Sequence, residues 1–122
     1  MDDMNTKINL TYNGEKYVLE YDRNTVRILE NSGFVLDEFL TKPMTNIELV
    51  FSGAFLKNHR KTNQTIIDEI YKKLPDKNKL LVQLRKMIDE TYDSLFEEPD
   101  NGDEGNVSWE VIDLSPKKRE NK

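Results

Sequence analysis

The chain contains no cysteine and only one histidine, and this scarcity removes several kinds of site at once. Without thiols there is no disulfide and no thiolate metal site, and one histidine is too few for a zinc site. His59 would need a nucleophile or an orienting carboxylate beside it to act as a general base, and the sequence places neither there. We therefore predict a structural role for His59, interacting with the dipole at a helix end, and we expect no metal and no other cofactor.

Basic residues are outnumbered, and long apolar runs are missing. The net charge of −5 disfavours nucleic-acid binding, which needs clustered lysine and arginine. No apolar run approaches the roughly 20 residues that cross a bilayer. Residues 1–10 are acidic and lack the apolar segment of a signal peptide. We expect a soluble intracellular protein with no nucleic-acid or membrane partner.

The motifs of common catalytic sites are also missing. The sequence contains no G-x-G-x-x-G or G-x-x-x-x-G-K-[ST] phosphate loop and no G-x-S-x-G nucleophile turn. Its paired acidic residues occupy adjacent positions, which diverge by about 100° on a helix and so do not converge on one substrate. An enzyme is the class of protein that we expect least.

A β-hairpin is the clearest local structure that the sequence contains. Residues 7–12 and 15–21 alternate apolar with polar side chains, as strands with one buried face do. Between them stand Asn13 and Gly14, which both tolerate the positive φ angles of a type I′ turn. Because an isolated hairpin is marginal in water, we expect its apolar face to pack on helices.

Apolar positions at helical spacing predict further elements after the hairpin. They lie at residues 23–32, 34–40, 45–59, 64–74 and 77–96. Asp22 can cap the first helix and Gly33 can end it. The central helix opens with a capping box of Thr45 and Glu48, and Gly53 in its middle allows another helix to approach closely. The predicted fold class is α+β, an N-terminal hairpin packed on four to five helices.

Two of these boundaries depend on turn-forming residues. The short segment before the central helix is expected to point Leu36, Phe39 and Leu40 inward, and Pro43 should block its continuation. Asp76 can cap the last and longest helix.

The composition changes after residue 96. We predict one domain over residues 1–96 and an acidic, disordered region over residues 97–122. Within that region Val107, Trp109 and Val111 alternate with other side chains, which is typical of a short docking strand. Two interpretations of Trp109 stay open: docking on a partner and packing on the chain's own domain.

Three stretches in fixed order resemble a known family. They are YDRNTVRILENSG after the hairpin, LVFSGAFLKNH in the central helix and TIIDEIYKKL beyond a polar connection. The order resembles the small tail assembly chaperones of long-tailed bacteriophages and prophages. The matching positions are Asp22, Asn24, Leu29, Glu30, Gly33, Gly53, Ala54, Leu56 and His59. The sequence departs from that pattern at Phe51 and Ser52, where tryptophan and alanine are expected.

The resemblance implies a function and partners. Such chaperones bind the long helical tape measure protein, keep it soluble and help to recruit tail tube subunits. They act in the host bacterial cytoplasm and leave before the virion is complete. Many are made in two lengths by programmed ribosomal frameshifting, for which residues 116–119 are a hypothetical site. Self-association, through the hairpin edge or the small-residue helix, is a further expectation.

A chaperone of this kind needs apolar side chains that reach its client. The predicted protein-binding residues are Phe51, Phe55, Leu56, Leu80, Met87, Phe96 and Trp109. Two other classes of function stay open at this stage. One is a structural adaptor or connector that remains in the phage particle, and the other is a small regulatory binding protein outside phage biology.

Overall fold

The hairpin forms as predicted. The computed structural model describes residues 6–99 and 107–114, and its strands are β1 (Ile8–Tyr12) and β2 (Glu15–Leu19). They pair antiparallel, with the first residue of β1 opposite the last residue of β2. Asn13 and Gly14 have φ angles of 51° and 81°, as a type I′ turn requires.

Four α-helices follow the hairpin within the described residues, which confirms the α+β class. They are α1 (Arg23–Asn31), α2 (Pro43–Gly53), α3 (Gln64–Lys73) and α4 (Lys77–Asp93). Short 3-10 turns lie at Leu36–Glu38 and Ser94–Phe96.

The boundaries of α1 agree with the prediction because its capping residues lie next to each other in the sequence. The Asp22 carboxylate accepts from the Thr25 N–H at 2.8 Å, and the Thr25 hydroxyl oxygen accepts from the Asp22 N–H at 2.8 Å. This reciprocal pair satisfies two donors at the start of the helix. Gly33, with φ of 110°, takes the left-handed conformation just beyond its end.

The predicted start and end of the central helix were wrong. The helix α2 begins at Pro43, two residues before the expected capping box at Thr45, and no side chain caps it. Proline suits the first helical position, because its missing N–H is one that a helix start leaves unbonded anyway. The helix ends at Gly53 rather than at residue 59. The expected dipole contact of His59 is therefore also wrong, and its imidazole Nε2 instead accepts from the Val18 N–H at 2.8 Å.

Gly53 does allow close packing, as expected. A Cβ atom built on it would lie 2.4 Å from Cδ2 of Leu29, so any side chain at this position would force Leu29 of α1 to move. The neighbour is a helix of the same chain. Within the described residues this small-residue stretch thus serves the internal packing of the domain.

The core lies between the hairpin and the four helices. Its buried apolar side chains come from β2, from all four helices and from the connections between them, and include Leu19, Leu29, Val50, Phe55, Ile70, Leu84 and Ile88. The apolar side chains of β1 pack against this core and are partly buried. In the turn before α2, Phe39 is buried, but Leu40 is 74% exposed, which contradicts its predicted inward position. At the start of α4, Asp76 adopts a left-handed backbone with φ of 53° and makes no side-chain cap, so it forms the turn after Pro75 instead.

A buried carboxylate joins β2 to the turn after α2. Glu20 is 4% exposed, and its two carboxylate oxygens accept from Lys57 Nζ at 3.0 Å and from Asn58 Nδ2 at 2.9 Å. Burial by itself raises the pKa of this carboxyl. The hydrogen bonds from Asn58 and Lys57, together with the charges of Lys57 and Lys7, outweigh burial and hold the pKa below its usual 4.5.

We expect Glu20 to contribute to the stability of the protein at neutral pH and to lose that contribution in acid. Because its pKa is lower in the folded than in the unfolded chain, the contribution is complete above about pH 4.5 and disappears as the pH falls through the folded pKa. At pH 7 the free energy of unfolding of the variant Glu20→Gln should be about 1.5–3 kcal/mol lower than that of the wild type. Urea titrations between pH 7 and pH 3 should show this difference shrinking. A difference that stays constant with pH would contradict the charged role.

Candidate protein-binding surface

The structure divides the predicted binding residues into three groups. Phe51, Phe55 and Met87 are 2%, 1% and 2% exposed, so they belong to the core and their prediction as an exposed binding surface is corrected, although Phe51 also lines a groove described below. Leu56 and Leu80 are half-buried. Phe96 and Trp109 are 80% and 84% exposed and are available to a partner.

A contiguous apolar surface lies instead over the start of α2 and the first half of α4. Met44 is 86% exposed, Leu40 74% and Val82 69%, and the half-buried Ile47 lies between two depressions that these side chains line. We call Leu40, Met44, Ile47 and Val82 the apolar face. Large apolar side chains exposed together in this way are typical of an interaction site.

The first depression is a groove of about 640 Å³ between α2 and α3. Its apolar wall comes from Met44, Ile47 and Phe51 on one side and from Tyr71 on the other. The Lys77 ammonium closes one part of it, donating to the Leu74 carbonyl at 2.9 Å and standing 5.4 Å from the Tyr71 ring centroid. The groove therefore has an apolar floor and a charged rim.

The second depression measures about 440 Å³ and lies between the turn before α2 and α4. Leu40 and Val82 line it together with the charged residues Arg85, Lys86 and Asp89. The guanidinium carbon of Arg85 stands 5.8 Å from the ring centroid of Phe39. Its Nε is buried and has no hydrogen-bond partner within the described part of the chain. A partner carrying a carboxylate beside apolar side chains would complement this end of the apolar face.

The apolar face was not predicted from the sequence, and the reason is local. Because the central helix was expected to begin at Thr45, Met44 fell outside it and Leu40 was assigned to the core. Val82 lies off the apolar stripe of α4 and looks like a single exposed side chain. Recognising Pro43 as a first helical residue would have placed Met44 and Ile47 one turn apart on the same side of α2.

The described residues offer no alternative site of the commonest kinds. Among residues 6–99 and 107–114 no three His, Asp or Glu side chains are grouped so as to hold a metal ion. In the same two ranges, no helix has both the length and the apolar character that crossing a bilayer requires.

A protein-family model matches residues 4–112, which is most of the chain. The chain belongs to the DUF5055 family. The description of that family is a domain of unknown function. No curated protein and no solved structure matches the chain.

The DUF5055 match extends beyond the helical part of the chain. It continues through the acidic region and ends at Ile112, so it includes the segment around Trp109. Within the structure, residues 107–114 form neither helix nor strand and are exposed throughout. The predicted frameshift site at residues 116–119 lies outside the described residues.

Proposed function

We propose that this DUF5055 domain is a tail assembly chaperone of a long-tailed bacteriophage or prophage. It binds the tape measure protein, keeps it soluble and helps to recruit tail tube subunits. It acts in the host cytoplasm and leaves before the virion is complete. The resemblance of three sequence stretches supports this assignment, and the apolar face is the observation on the structure that carries it.

The apolar face suits a helical client. An amphipathic helix binds a groove through apolar side chains spaced three and four residues apart, which insert between the helices of the receptor. The groove between α2 and α3 continues through Ile47 into the depression beside α4, so the two provide adjoining pockets. Met44 supports this use, because a flexible thioether side chain adapts to different partners. Fully burying each exposed side chain contributes about 1.5–3 kcal/mol.

The charged surroundings of the apolar face should keep the domain itself dispersed. The apolar side chains are surrounded by charged ones, among them Lys72, Lys86, Glu48 and Asp68. A charged rim keeps an apolar patch hydrated when no client is present. Because the rim carries both positive and negative charges, it can also contact a client helix whose polar side carries charges of both signs.

Introducing charge into the apolar face should abolish client binding without unfolding the domain. The double variant Met44→Asp and Val82→Asp removes two exposed apolar contacts, and we expect capture of the co-expressed tape measure protein to fall at least tenfold, since about 1.4 kcal/mol corresponds to a factor of ten. The measurement is the amount of client in the soluble fraction and in a pull-down with the tagged domain.

The matched control is Leu95→Asp. Leu95 is 55% exposed and lies near the end of α4, away from the apolar face, so the same kind of substitution there should leave client capture unchanged. A tape measure protein that is equally soluble without this chain would refute the proposed chaperone function. Detection of the chain in purified virions would favour a structural component instead.

A further inference from the structure

One edge of the hairpin is covered and the other is open. On β2, the Val18 N–H donates to His59 Nε2 at 2.8 Å, the Val18 carbonyl accepts from Asn58 Nδ2 at 3.2 Å, and the Glu20 N–H donates to the Ala54 carbonyl at 3.1 Å. The turn after α2 therefore occupies the outer edge of β2.

The register identifies the matching groups on β1. Val18 lies opposite Asn9, and because the polar backbone groups of Val18 point away from β1, those of Asn9 point away from β2. Thr11, two residues further along the strand, has the same orientation. Within the described part of the chain, these outward N–H and C=O groups meet no protein partner. An open strand edge of this kind is a template for one more strand.

An apolar groove adjoins the start of β1. Its volume is about 620 Å³, and its apolar lining includes Ile8 of β1 and Leu74, Leu80 and Val82 of the helical layer. A strand added beside β1 would therefore find backbone partners at its edge and an apolar cover for one of its faces. Leu80, which the sequence predicted as a binding residue, lies in this groove.

The chain carries a segment that fits both features. Val107, Trp109 and Val111 alternate with other side chains in the sequence and are 88%, 84% and 79% exposed. β-branched and aromatic residues in alternation favour a strand with one apolar face. Residues 97–114 contain seven acidic and no basic residues, while Lys79 lines the groove together with Asp76, and Lys73 stands 5.7 Å from the ring of Tyr12. The two lysines can attract the acidic segment to this edge.

We propose that the segment Val107–Leu114 adds to β1 of its own chain as a third antiparallel or parallel strand, with Trp109 over the groove at Ile8 and Leu80. In the structure the side chains of Val107, Trp109 and Val111 are exposed, and within the described residues the outward backbone groups of Asn9 and Thr11 meet no protein partner. In the docked arrangement, the segment Val107–Leu114 supplies the backbone partners of the open edge of β1.

The connection is long enough for this contact within one chain. The Thr6 hydroxyl donates to Glu90 Oε2 at 3.3 Å, so β1 starts beside the last turns of α4, close to where the acidic region leaves. The ten residues 97–106 span up to about 33–36 Å when extended. A connection of about ten residues holds its segment at an effective concentration in the millimolar range, which favours the chain's own edge over that of a second copy.

Amide hydrogen exchange tests the proposal on the full chain. We expect the Asn9 and Thr11 amides to exchange at least tenfold more slowly in the wild type than in Val111→Asp, which puts a charge on the apolar face of the added strand. Val111 lies outside the hairpin and the helices, so we expect the variant to leave the folded domain itself intact. The matched control Ile112→Asp carries the same charge on the opposite face and should keep the slow exchange.

Fluorescence of the single tryptophan gives an independent measurement. Docking should shift the Trp109 emission of the wild type and of Ile112→Asp to shorter wavelength than that of Val111→Asp, at every protein concentration. Equal exchange and equal emission in all three proteins would overturn the proposal. Protection that disappears on tenfold dilution would also overturn it, because the strand would then come from a second copy. Neither measurement involves a client, so failure of the strand-addition proposal can be distinguished from failure of the proposed chaperone function.

Discussion

Replacing Phe55 by alanine should lower the free energy of unfolding by about 3–5 kcal/mol. The side chain is 1% exposed, and its ring meets Tyr17 and Phe51 edge-on, with centroid distances of 5.6 and 5.4 Å. Truncation removes these contacts and leaves a cavity beneath the hairpin. Urea denaturation followed by circular dichroism measures the change.

Phe96→Ala is the matched control for this prediction. The chemical change is identical, but Phe96 is 80% exposed, so the free energy of unfolding should stay within about 0.5 kcal/mol of the wild type. A small effect of Phe55→Ala, or equal effects of the two variants, would contradict the assignment of Phe55 to the core.

These two phenylalanines show what the sequence alone resolves. Both were predicted as client-binding residues, because helical spacing identifies an apolar side chain without identifying what covers it. Phe55 follows the end of α2 rather than lying inside it, and the turn there directs it beneath the hairpin beside Tyr17. That placement depends on contacts between distant parts of the chain, which periodicity does not contain.

Elements defined by neighbouring residues were predicted well. Asn13 and Gly14 determine the hairpin turn, and Asp22, Thr25 and Gly33 define both ends of α1 within a dozen residues. The start of α2 was wrong because two local patterns compete there. Pro43 at the first helical position prevails over a capping box at Thr45, and the apolar face follows from that choice.

Asn46 is the residue whose importance the sequence hides most completely. It is 1% exposed in a helix and looks like an ordinary polar position, yet its amide joins three backbone groups. Its Oδ1 accepts from the Val35 N–H at 3.1 Å. Its Nδ2 donates to the carbonyls of Glu38 and Lys42 at 3.1 and 3.0 Å. The amide thus holds the turn before α2 against the helix that has no side-chain cap.

The variant Asn46→Asp should therefore be among the most damaging single-atom exchanges in the protein, lowering the free energy of unfolding at pH 7 by about 3 kcal/mol or more. The carboxylate keeps the volume and the acceptor for Val35, but it deprives two carbonyls of their donor and places a buried charge against them. Asn78→Asp makes the same exchange at an exposed site in the first turn of α4 and should change stability by no more than about 0.5 kcal/mol. Leu40 and Met44 lie at the turn before α2 that the Asn46 amide holds, so loss of the Asn46 hydrogen bonds should also weaken client capture. A stable Asn46→Asp variant that still captures the client would show that the apolar face does not depend on these hydrogen bonds.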